Sequence, residues 1–294
     1  MHSDDYFCLY SLFFSIDSLV MTFYNMLMLQ KHYVLFRIIQ KNLEVKQMDG
    51  YYSSLKGKRA LVTGGAGILA QAMVAGLAQA GADTAAIDCS DHVYTTASLA
   101  GAVGITGDLS SPEGCRAAYG KACQALGGEV DILVNAVGIG AKFPPDSFPA
   151  EKWQQVLNIN LSSYFYMSQL VSSHMLSQGW GRIVNIGSMT CYVAVPDNAA
   201  YCSSKGAVLM LTRSLARDWS GRGINVNGIA PGFMDTPLNK IKNDPVEGAA
   251  TLARIAQGRW GTGLDLVGPL LFFCSDASNY VTGTMLPVDG GYLA

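Results

Sequence analysis

From residue 58 onward, short apolar runs alternate with helical patterns, and this alternation strongly limits the folds that the chain can adopt. The predicted strands are 59–64, 84–88, a third that ends at Asp108, 131–136, 182–186 and 223–227. Helical patterns cover residues 67–80, and about 151–177 and 199–219 between the last three strands. Continuous apolar strands separated by helices are typical of a parallel sheet that is covered on both faces. We therefore expect a single α/β domain over residues 55–294, a doubly wound parallel sheet of the Rossmann type with about seven strands and helices on both faces.

Local signals predict where two of the helices begin and end. Ser111 followed by Pro112 indicates a helix start after the third strand, because serine can accept a hydrogen bond from a free backbone N–H. The N–H that proline lacks is not needed at the first helical position. Gly81 is expected to close the helix that starts near Gly67.

A glycine-rich turn follows the first predicted strand and opens a helix. It reads Thr63-Gly64-Gly65-Ala66-Gly67. Ligands of doubly wound sheets bind beyond the carboxyl ends of the strands, and bare backbone there lets a pyrophosphate approach the helix N-terminus. The turn therefore indicates a dinucleotide site, with a purely structural turn as the alternative.

Asp88 ends the second strand, 24 residues after Gly64. A carboxylate at this place can accept hydrogen bonds from an adenosine ribose and repels a 2′-phosphate. The next residues are Cys89 and Ser90, so no arginine follows that could bind the phosphate. We therefore expect NAD rather than NADP; the alternative is a surface carboxylate without a ligand.

Tyr201 and Lys205 are spaced one helical turn apart, and Ser188 lies 13 positions before Tyr201. On a helix, a lysine at this spacing faces the phenol and can lower its pKa from about 10. The three groups together could hold a substrate oxygen and move its proton. The spacing alone is not specific, since Tyr52 and Lys56 repeat it without a serine at the matching position. We interpret that second pair as a solvated approach to the first strand.

Composition excludes several classes of protein. The net charge is −2, and the sequence has no basic stripe that could follow a nucleic-acid backbone. The seven cysteines are scattered without a CxxC pair, and the four histidines lack ligand spacing. We therefore expect no nucleic-acid partner, no metal site, no disulfide framework and a cytoplasmic location.

The first 54 residues differ in character from the rest. Residues 6–29 are largely apolar and aromatic, with Asp17 and Asn25 as their main polar interruptions. The segment is long enough to span a bilayer and make the protein membrane-associated, although a central aspartate opposes insertion. An accessory helix is a second alternative. We favour a third, an upstream extension outside the functional protein, with Met48 as the true start.

Several motifs over residues 55–294 resemble, in the expected order, those of the short-chain dehydrogenase/reductase family. They are the glycine turn at Thr63, Asp108-Leu109, Asn135-Ala136-Val137-Gly138, Asn160, Ser188, the Tyr201/Lys205 pair, Pro231-Gly232 with Thr236, and Val288-Asp289-Gly290-Gly291. The resemblance implies that a dinucleotide contacts Thr63, Gly64, Gly65, Gly67, Ile68, Leu69, Asp88, Asp108, Leu109, Asn135, Ala136, Gly138, Tyr201, Lys205, Pro231, Gly232 and Thr236. Ile68 and Ala70 depart from the family's pattern, which usually has glycine at both positions.

The same resemblance implies an alcohol–ketone oxidoreductase. Tyr201 would be the general acid in reduction and the general base in oxidation, and Ser188 would hydrogen-bond the substrate oxygen. Lys205 would hold the nicotinamide ribose and lower the pKa of Tyr201, while Asn160 would fix a water that joins Lys205 to solvent. The resemblance also implies a homotetramer.

The carboxy-terminal segments are most similar to the sugar-acid branch of that family, the gluconate 5-dehydrogenases and 2-deoxy-D-gluconate 3-dehydrogenases. The segments are 258–261, 275–281 and 287–294. The similarity implies a small-molecule substrate, a sugar acid or polyol, bound between residues 139–147, the loop after Ser188 and the connection 232–263, which is long enough for mobile lid helices. Lys142 matches a basic position and could pair with a substrate carboxylate; the alternative, which we favour, is a solvated loop lysine. Two alternatives remain open: a 3-oxoacyl thioester reductase, and a non-catalytic dinucleotide-binding protein.

Overall fold

The computed structural model describes residues 53–236 and 239–294. Our interpretations of residues 6–29 and of Met48 as a start fall outside the described residues. Within the described part, no helix has both the length and the hydropathy needed to cross a bilayer. The first described element is a short 3-10 turn, Ser53–Leu55, which buries Leu55 completely against the domain.

Seven parallel strands form one sheet in the order β3-β2-β1-β4-β5-β6-β7. They are β1 (Arg59–Thr63), β2 (Asp83–Asp88), β3 (Val103–Thr106), β4 (Ile132–Asn135), β5 (Gly181–Ile186), β6 (Ile224–Pro231) and β7 (Met285–Val288). The strands β4, β5 and β6 are buried along their whole length, because helices cover both faces of the sheet. The strand order reverses between β1 and β4, which is where doubly wound sheets bind ligands. The predicted doubly wound architecture is confirmed.

Eight α-helices connect these strands within the described residues. They are α1 (Ile68–Gln79), α2 (His92–Leu99), α3 (Pro112–Leu126), α4 (Ala150–Leu157), α5 (Ser163–Gln178), α6 (Ala199–Trp219), α7 (Glu247–Arg254) and α8 (Val267–Cys274). Ser111 caps α3 as predicted, since its Oγ accepts a hydrogen bond from Gly114 N at 3.1 Å. Gly127 ends the same helix in the left-handed region, with φ 66°.

Several boundaries differ from the predictions for physical reasons. The expected helix 151–177 is divided into α4 and α5 by a π-helical segment, Asn158–Ser162. Strand β3 ends at Thr106 rather than at Asp108, because the Asp108 carboxylate accepts a hydrogen bond from Ser110 N in a tight turn. Strand β6 continues to Pro231, since β7 pairs with its second half. Helix α2 was not predicted.

Candidate active site

A cavity of about 450 Å³ opens at the carboxyl ends of β4, β5 and β6. Its walls come from the loops that follow these strands, from α6 and from the connection after β6. The predicted site residues that line it are Leu69, Ala136, Gly138, Ser188, Tyr201, Lys205, Pro231, Gly232 and Thr236. The fold therefore brings together residues that are up to 167 positions apart in the chain.

Ser188, Tyr201 and Lys205 meet in this cavity. Ser188 lies in extended conformation directly after β5, and its Oγ accepts a hydrogen bond from Thr190 N at 3.1 Å. Tyr201 and Lys205 occupy the first two turns of α6, on the same side of the helix. The Nζ atom of Lys205 lies 5.8 Å from the centre of the Tyr201 ring. A serine hydroxyl, a phenol and an ammonium thus line the same cavity.

Burial shifts the pKa values of Tyr201 and Lys205. Desolvation raises the pKa of Tyr201 and outweighs a hydrogen bond with Ser188, which lowers it. Desolvation also lowers the pKa of Lys205, to about 8. Burial disfavours the charged form of each group and therefore opposes the lowering of the Tyr201 pKa that we predict for Lys205.

Lys205 is buried, and its ammonium is held by two groups beneath the cavity. Its Nζ donates to the backbone oxygen of Ile186 at 2.8 Å and to the hydroxyl of Tyr164 at 3.4 Å. Ile186 ends β5, whereas Tyr164 belongs to α5. The position of the amine is therefore fixed by the sheet and by a neighbouring helix.

Asn160 lies in the π-helical segment and connects the loop after β4 with α6. Its Oδ1 accepts from Ile139 N at 2.8 Å, and its Nδ2 donates to Ile139 O at 2.9 Å and to Ser204 Oγ at 3.1 Å. Ser204 Oγ in turn donates to the backbone oxygen of Tyr201 at 2.7 Å. Asn160 thus fixes the first turn of α6, and a Cβ at Gly138 would lie 3.6 Å from both Asn160 Oδ1 and Lys205 Nζ.

The glycine turn packs too tightly for side chains and leads to an uncapped helix. Gly64 has φ 72°, and a Cβ on it would lie 2.7 Å from Val137 Cα. A Cβ on Gly65 would lie 2.5 Å from Ala86 Cβ. Gly67 is the N-cap of α1, where no side chain accepts from the first free N–H groups. These N–H groups, at the switch point of the sheet, fit the phosphates of a dinucleotide.

The side chains of Thr63 and Asp88 hold the glycine turn in place through hydrogen bonds. Thr63 Oγ1 accepts hydrogen bonds from Ala136 N at 3.0 Å and from Val137 N at 3.2 Å, which joins the ends of β1 and β4. The Asp88 carboxylate accepts from Ala66 N at 3.1 Å and from Ser90 N at 2.9 Å. Asp88 therefore lies beside the glycine turn, as a residue that contacts the adenosine ribose would.

Three further predicted residues, Ile68, Asp108 and Leu109, follow strands β1 and β3. Ile68 is half-buried at the start of α1, next to Leu69. Asp108 is exposed beyond β3, and Leu109 is buried in the core between the sheet and α3. These positions flank the carboxyl ends of β1 to β3, where an adenine would lie in the family's arrangement.

Asn135 and Lys142 are two of the predicted residues that do not line the cavity. Asn135 is completely buried in β4, and its Nδ2 donates to Asn185 Oδ1 at 2.9 Å. Lys142 is exposed and is not part of the cavity wall. The ligand contacts of both residues stay predictions: Asn135 makes its hydrogen bonds in the interior of the sheet, and the exposed Lys142 agrees with the alternative of a solvated loop lysine.

Sequence reasoning missed several residues of the site. Thr190 and Asn198 line the cavity, and Tyr164 contacts Lys205 from below. Within the described part of the chain, Thr190 Oγ1 is buried without a hydrogen-bond partner. Their signals were weak: Thr190 is two residues after Ser188, and Tyr164 is four residues after Asn160. Neither spacing is distinctive without the fold.

The family model for short chain dehydrogenases matches residues 58–247. The chain belongs to this family. It is therefore an NAD(P)-dependent dehydrogenase that acts on CH–OH groups. The fold and site described above place the family's motifs at the carboxyl edge of the sheet, in line with the predicted resemblance.

Similar proteins within the family have names that refer to sugar acids. The 2-dehydro-3-deoxy-D-gluconate 5-dehydrogenase of Bacillus subtilis is 41% identical over 250 residues, covering 82% of this chain and 96% of that protein. The Escherichia coli protein of the same name is 39% identical over 247 residues, covering 82% and 97%. The crystal structure of a gluconate 5-dehydrogenase from Burkholderia cenocepacia, in complex with NADP and tartrate, has a TM-score of 0.77 and 35% identity, covering 82% and 98%.

Proposed function

We propose that this short-chain dehydrogenase is an NAD-preferring oxidoreductase that interconverts a secondary alcohol and a ketone on a sugar acid or related polyol. The observation that supports the chemistry is the meeting of Ser188, Tyr201 and Lys205 in one cavity. The names of the similar proteins, which act on gluconate derivatives, support the substrate class.

The chain's own residues supply the proton chemistry in this proposal. Tyr201 donates its phenolic proton to the carbonyl oxygen in reduction, and its phenolate accepts the hydroxyl proton in oxidation. Ser188 hydrogen-bonds the same oxygen and stabilises the charge that develops on it. Because burial favours the neutral phenol, the Lys205 ammonium is needed to stabilise the phenolate. Asn160 holds the start of α6, which carries Tyr201 and Lys205, and would order the water that joins Lys205 to solvent.

The cofactor, when bound, supplies or accepts the hydride at its nicotinamide. Its phosphates would be held by the glycine turn from Gly64 to Gly67 and by the uncapped start of α1. Lys205 would bind the nicotinamide ribose, and Pro231, Gly232 and Thr236 would face the nicotinamide side of the cavity. Ile68 follows the glycine turn directly and is half-buried at the start of α1.

The preference for NAD rests on charge around the adenosine ribose. Asp88 lies beside the glycine turn, and a 2′-phosphate there would meet its carboxylate at short range. The sequence contains no lysine or arginine from residue 60 to residue 115, a stretch that includes Asp91 and Asp108. The solved Burkholderia relative is in complex with NADP, so the proposed preference depends on this chain's own residues.

The cavity wall contains neutral polar side chains that can bind substrate hydroxyl groups, among a larger number of apolar residues. Its neutral polar side chains include Thr190, Asn198, Thr236 and Asn239, and among the described wall residues Lys205 is the single charged one. A sugar acid would therefore have its carboxylate bound by neutral donors. The same observation supports an uncharged polyol as the second candidate substrate.

A substrate panel tests the proposal directly. Sugar acids, polyols and 3-oxoacyl thioesters should each be assayed with NAD(H) and with NADP(H), and kcat/KM compared. We expect the highest value for a sugar acid or polyol with NAD(H). A preference for acyl thioesters with NADPH would replace the proposed function with the thioester reductase alternative. Absence of turnover on all substrates would favour a non-catalytic dinucleotide-binding protein.

Two tyrosine variants test the assigned chemistry. Tyr201→Phe should lower kcat by at least about 100-fold, since it removes the general acid and base. Tyr280→Phe is the matched control, because Tyr280 is completely exposed on the loop before β7. Turnover that survives in Tyr201→Phe would show that another group moves the proton.

The catalytic domain in this proposal is residues 55–294. A chain that begins at Met48 should retain the full activity, and the intact mass of the native protein would locate its start. Light scattering of the purified protein would test the homotetramer that the family resemblance implies.

A further inference from the structure

Tyr164 is completely buried directly beneath the catalytic lysine. Its hydroxyl lies 2.9 Å from the backbone oxygen of Val137 and 3.1 Å from that of Ile186, and it accepts a hydrogen bond from Lys205 Nζ at 3.4 Å. The centre of its ring lies 5.2 Å from the same Nζ. One side chain of α5 therefore contacts the loop after β4, the end of β5 and the amine on α6.

A buried ammonium requires acceptors, because the surrounding protein replaces its water. Lys205 Nζ has the Ile186 oxygen at 2.8 Å and the Tyr164 hydroxyl. The Tyr164 hydroxyl has one proton, which it donates to Val137 or Ile186, so a lone pair stays available for Lys205. Its ring adds a second attraction, since a cation within about 6 Å of an aromatic face is stabilised by the ring's quadrupole.

We propose that Tyr164 is a positioning residue for the reaction: its hydroxyl and ring hold the Lys205 ammonium at the end of β5, from where the ammonium acts on Tyr201. Tyr164 is not part of the cavity wall, so it acts through Lys205 and not on the substrate. The inference rests on the role proposed above for Lys205. It assigns to α5 a direct part in setting the charge of the site.

The titratable groups that face Lys205 make the effect measurable. They are Tyr164 on α5, Tyr201 on α6, and Cys191, whose Sγ donates to the Lys205 backbone oxygen at 3.0 Å. Burial raises the pKa of Tyr164 well above its ordinary value, so it remains a neutral acceptor. Burial lowers the pKa of Lys205 to about 8. Loss of the Tyr164 oxygen removes an acceptor that stabilises the ammonium more strongly than the neutral amine, so the pKa of Lys205 should fall further.

The test is to titrate Lys205 in the wild type and in Tyr164→Phe. The ¹³C NMR signals of the lysine ε-carbons report each amine, and Lys205→Met identifies the signal of Lys205. We expect its midpoint to move down by about half a pH unit or more in Tyr164→Phe. Tyr166→Phe is the matched control, because Tyr166 is on the same helix but packs against a different part of the core, the buried cluster that contains Leu109 and Ala118. It should leave the midpoint unchanged.

Kinetics give a second measurement of the same effect. The alkaline limb of the kcat profile should move to lower pH in Tyr164→Phe by the same amount as the NMR midpoint, with little change in KM. Tyr164→Met, which fills the site without an acceptor oxygen or a ring, should move both in the same direction and further. Unfolding curves of both variants would separate this effect from a loss of structure.

The outcomes distinguish this inference from the proposed function. An unchanged Lys205 midpoint in folded Tyr164→Phe would overturn the positioning role, whatever the substrate. A shifted midpoint in a protein that turns over none of the sugar acids or polyols would support the positioning of Lys205 and refute the proposed function.

Discussion

The Oδ2 atom of Asp88 accepts a hydrogen bond from the backbone N–H of Ala66 at 3.1 Å. The carboxylate that ends β2 therefore fixes the glycine turn that follows β1. In the proposed function it also faces the adenosine ribose. In this proposal, the shape of the glycine turn and the choice between NAD and NADP both depend on Asp88, and the two effects can be separated by removing only its charge.

Asp88→Asn should shift the cofactor preference toward NADP. An asparagine oxygen can still accept from Ala66 N, so the turn is retained, whereas the repulsion of a 2′-phosphate is lost. We expect the ratio of kcat/KM with NADP to that with NAD to rise about tenfold, which corresponds to about 1.4 kcal/mol. Steady-state kinetics with both cofactors at one saturating substrate concentration measure the ratio.

Asp83→Asn is the control for this prediction. Asp83 is exposed at the opposite end of the same strand, far from the glycine turn. The same change in net charge there should leave the ratio unaltered. Equal ratios in the wild type and in Asp88→Asn would remove the basis of the proposed NAD preference.

Asp131 lies directly before β4, at the amino ends of the strands, and should stabilise the fold in a pH-dependent way. Its buried carboxylate accepts from Arg59 N at 2.9 Å, Gln178 Nε2 at 2.9 Å and His174 Nε2 at 3.1 Å. Burial opposes ionisation, but these hydrogen bonds hold the pKa of Asp131 below its usual value. The contribution is therefore complete above the unfolded pKa of about 3.9 and is lost as the pH falls through the lower folded pKa.

Asp131→Asn should lower the free energy of unfolding at pH 7 by about 2 kcal/mol. Urea unfolding at pH 7 and at pH 4 measures this, and the difference between wild type and variant should shrink at still lower pH. Glu113→Gln is the control, because Glu113 pairs with Arg116 on the exposed surface of α3 and should contribute little. A loss that stays constant down to pH 2 would mean that Asp131 acts through packing and not through its charge.

Local sequence signals were sufficient where the chain's own neighbours decide the structure. Helix α6 has the predicted bounds 199–219, and Ser111 with Pro112 starts α3 as predicted. Both depend on short-range effects, the apolar periodicity of the helix and the cap of its first N–H groups. The motif order was equally informative for the family, because most of the motifs follow a strand whose carboxyl end the fold places on one side of the sheet.

Other features of the structure depend on contacts between distant parts of the chain, and the sequence did not predict them. The π-helical segment at Asn158 interrupts a continuous helical pattern, and β6 is longer than predicted because β7 pairs with it. Tyr164 has the sequence context of an ordinary core aromatic, and only the fold brings its hydroxyl to Lys205. Lys142 is exposed outside the cavity wall, and its contact with a substrate carboxylate stays a prediction.

Thr190 should contribute to substrate binding through its hydroxyl. Its Oγ1 is buried at the cavity wall without a partner in the described residues, which is unfavourable for a polar group. A substrate hydroxyl would satisfy it after a rotation about χ1. Thr190→Val keeps the shape and should lower kcat/KM about fivefold, as expected for the loss of a hydrogen bond of about 1 kcal/mol. Its melting temperature should be equal to or higher than that of the wild type.

Thr190→Ser provides the control for Thr190→Val, since it retains the hydroxyl and loses the methyl group. It should keep most of the wild-type kcat/KM. An equal loss of activity in both variants would indicate that the methyl group, and not the hydroxyl, matters at this position.

Gly138 should be required because of the space it leaves between two polar groups. A Cβ at this position would lie 3.6 Å from Asn160 Oδ1 and 3.6 Å from Lys205 Nζ, an ordinary contact that the fold tolerates. The methyl group would nevertheless occupy the space through which, in the proposed function, a water joins Lys205 to Asn160. Gly138→Ala should therefore lower kcat about tenfold or more while the melting temperature changes little.

Gly120→Ala is the matched control: nothing lies within 4 Å of its added Cβ, and an alanine within α3 should raise stability by about 0.5–1 kcal/mol without changing kcat. A Gly138→Ala protein with wild-type kcat would show that the space between Asn160 and Lys205 is not needed for proton transfer.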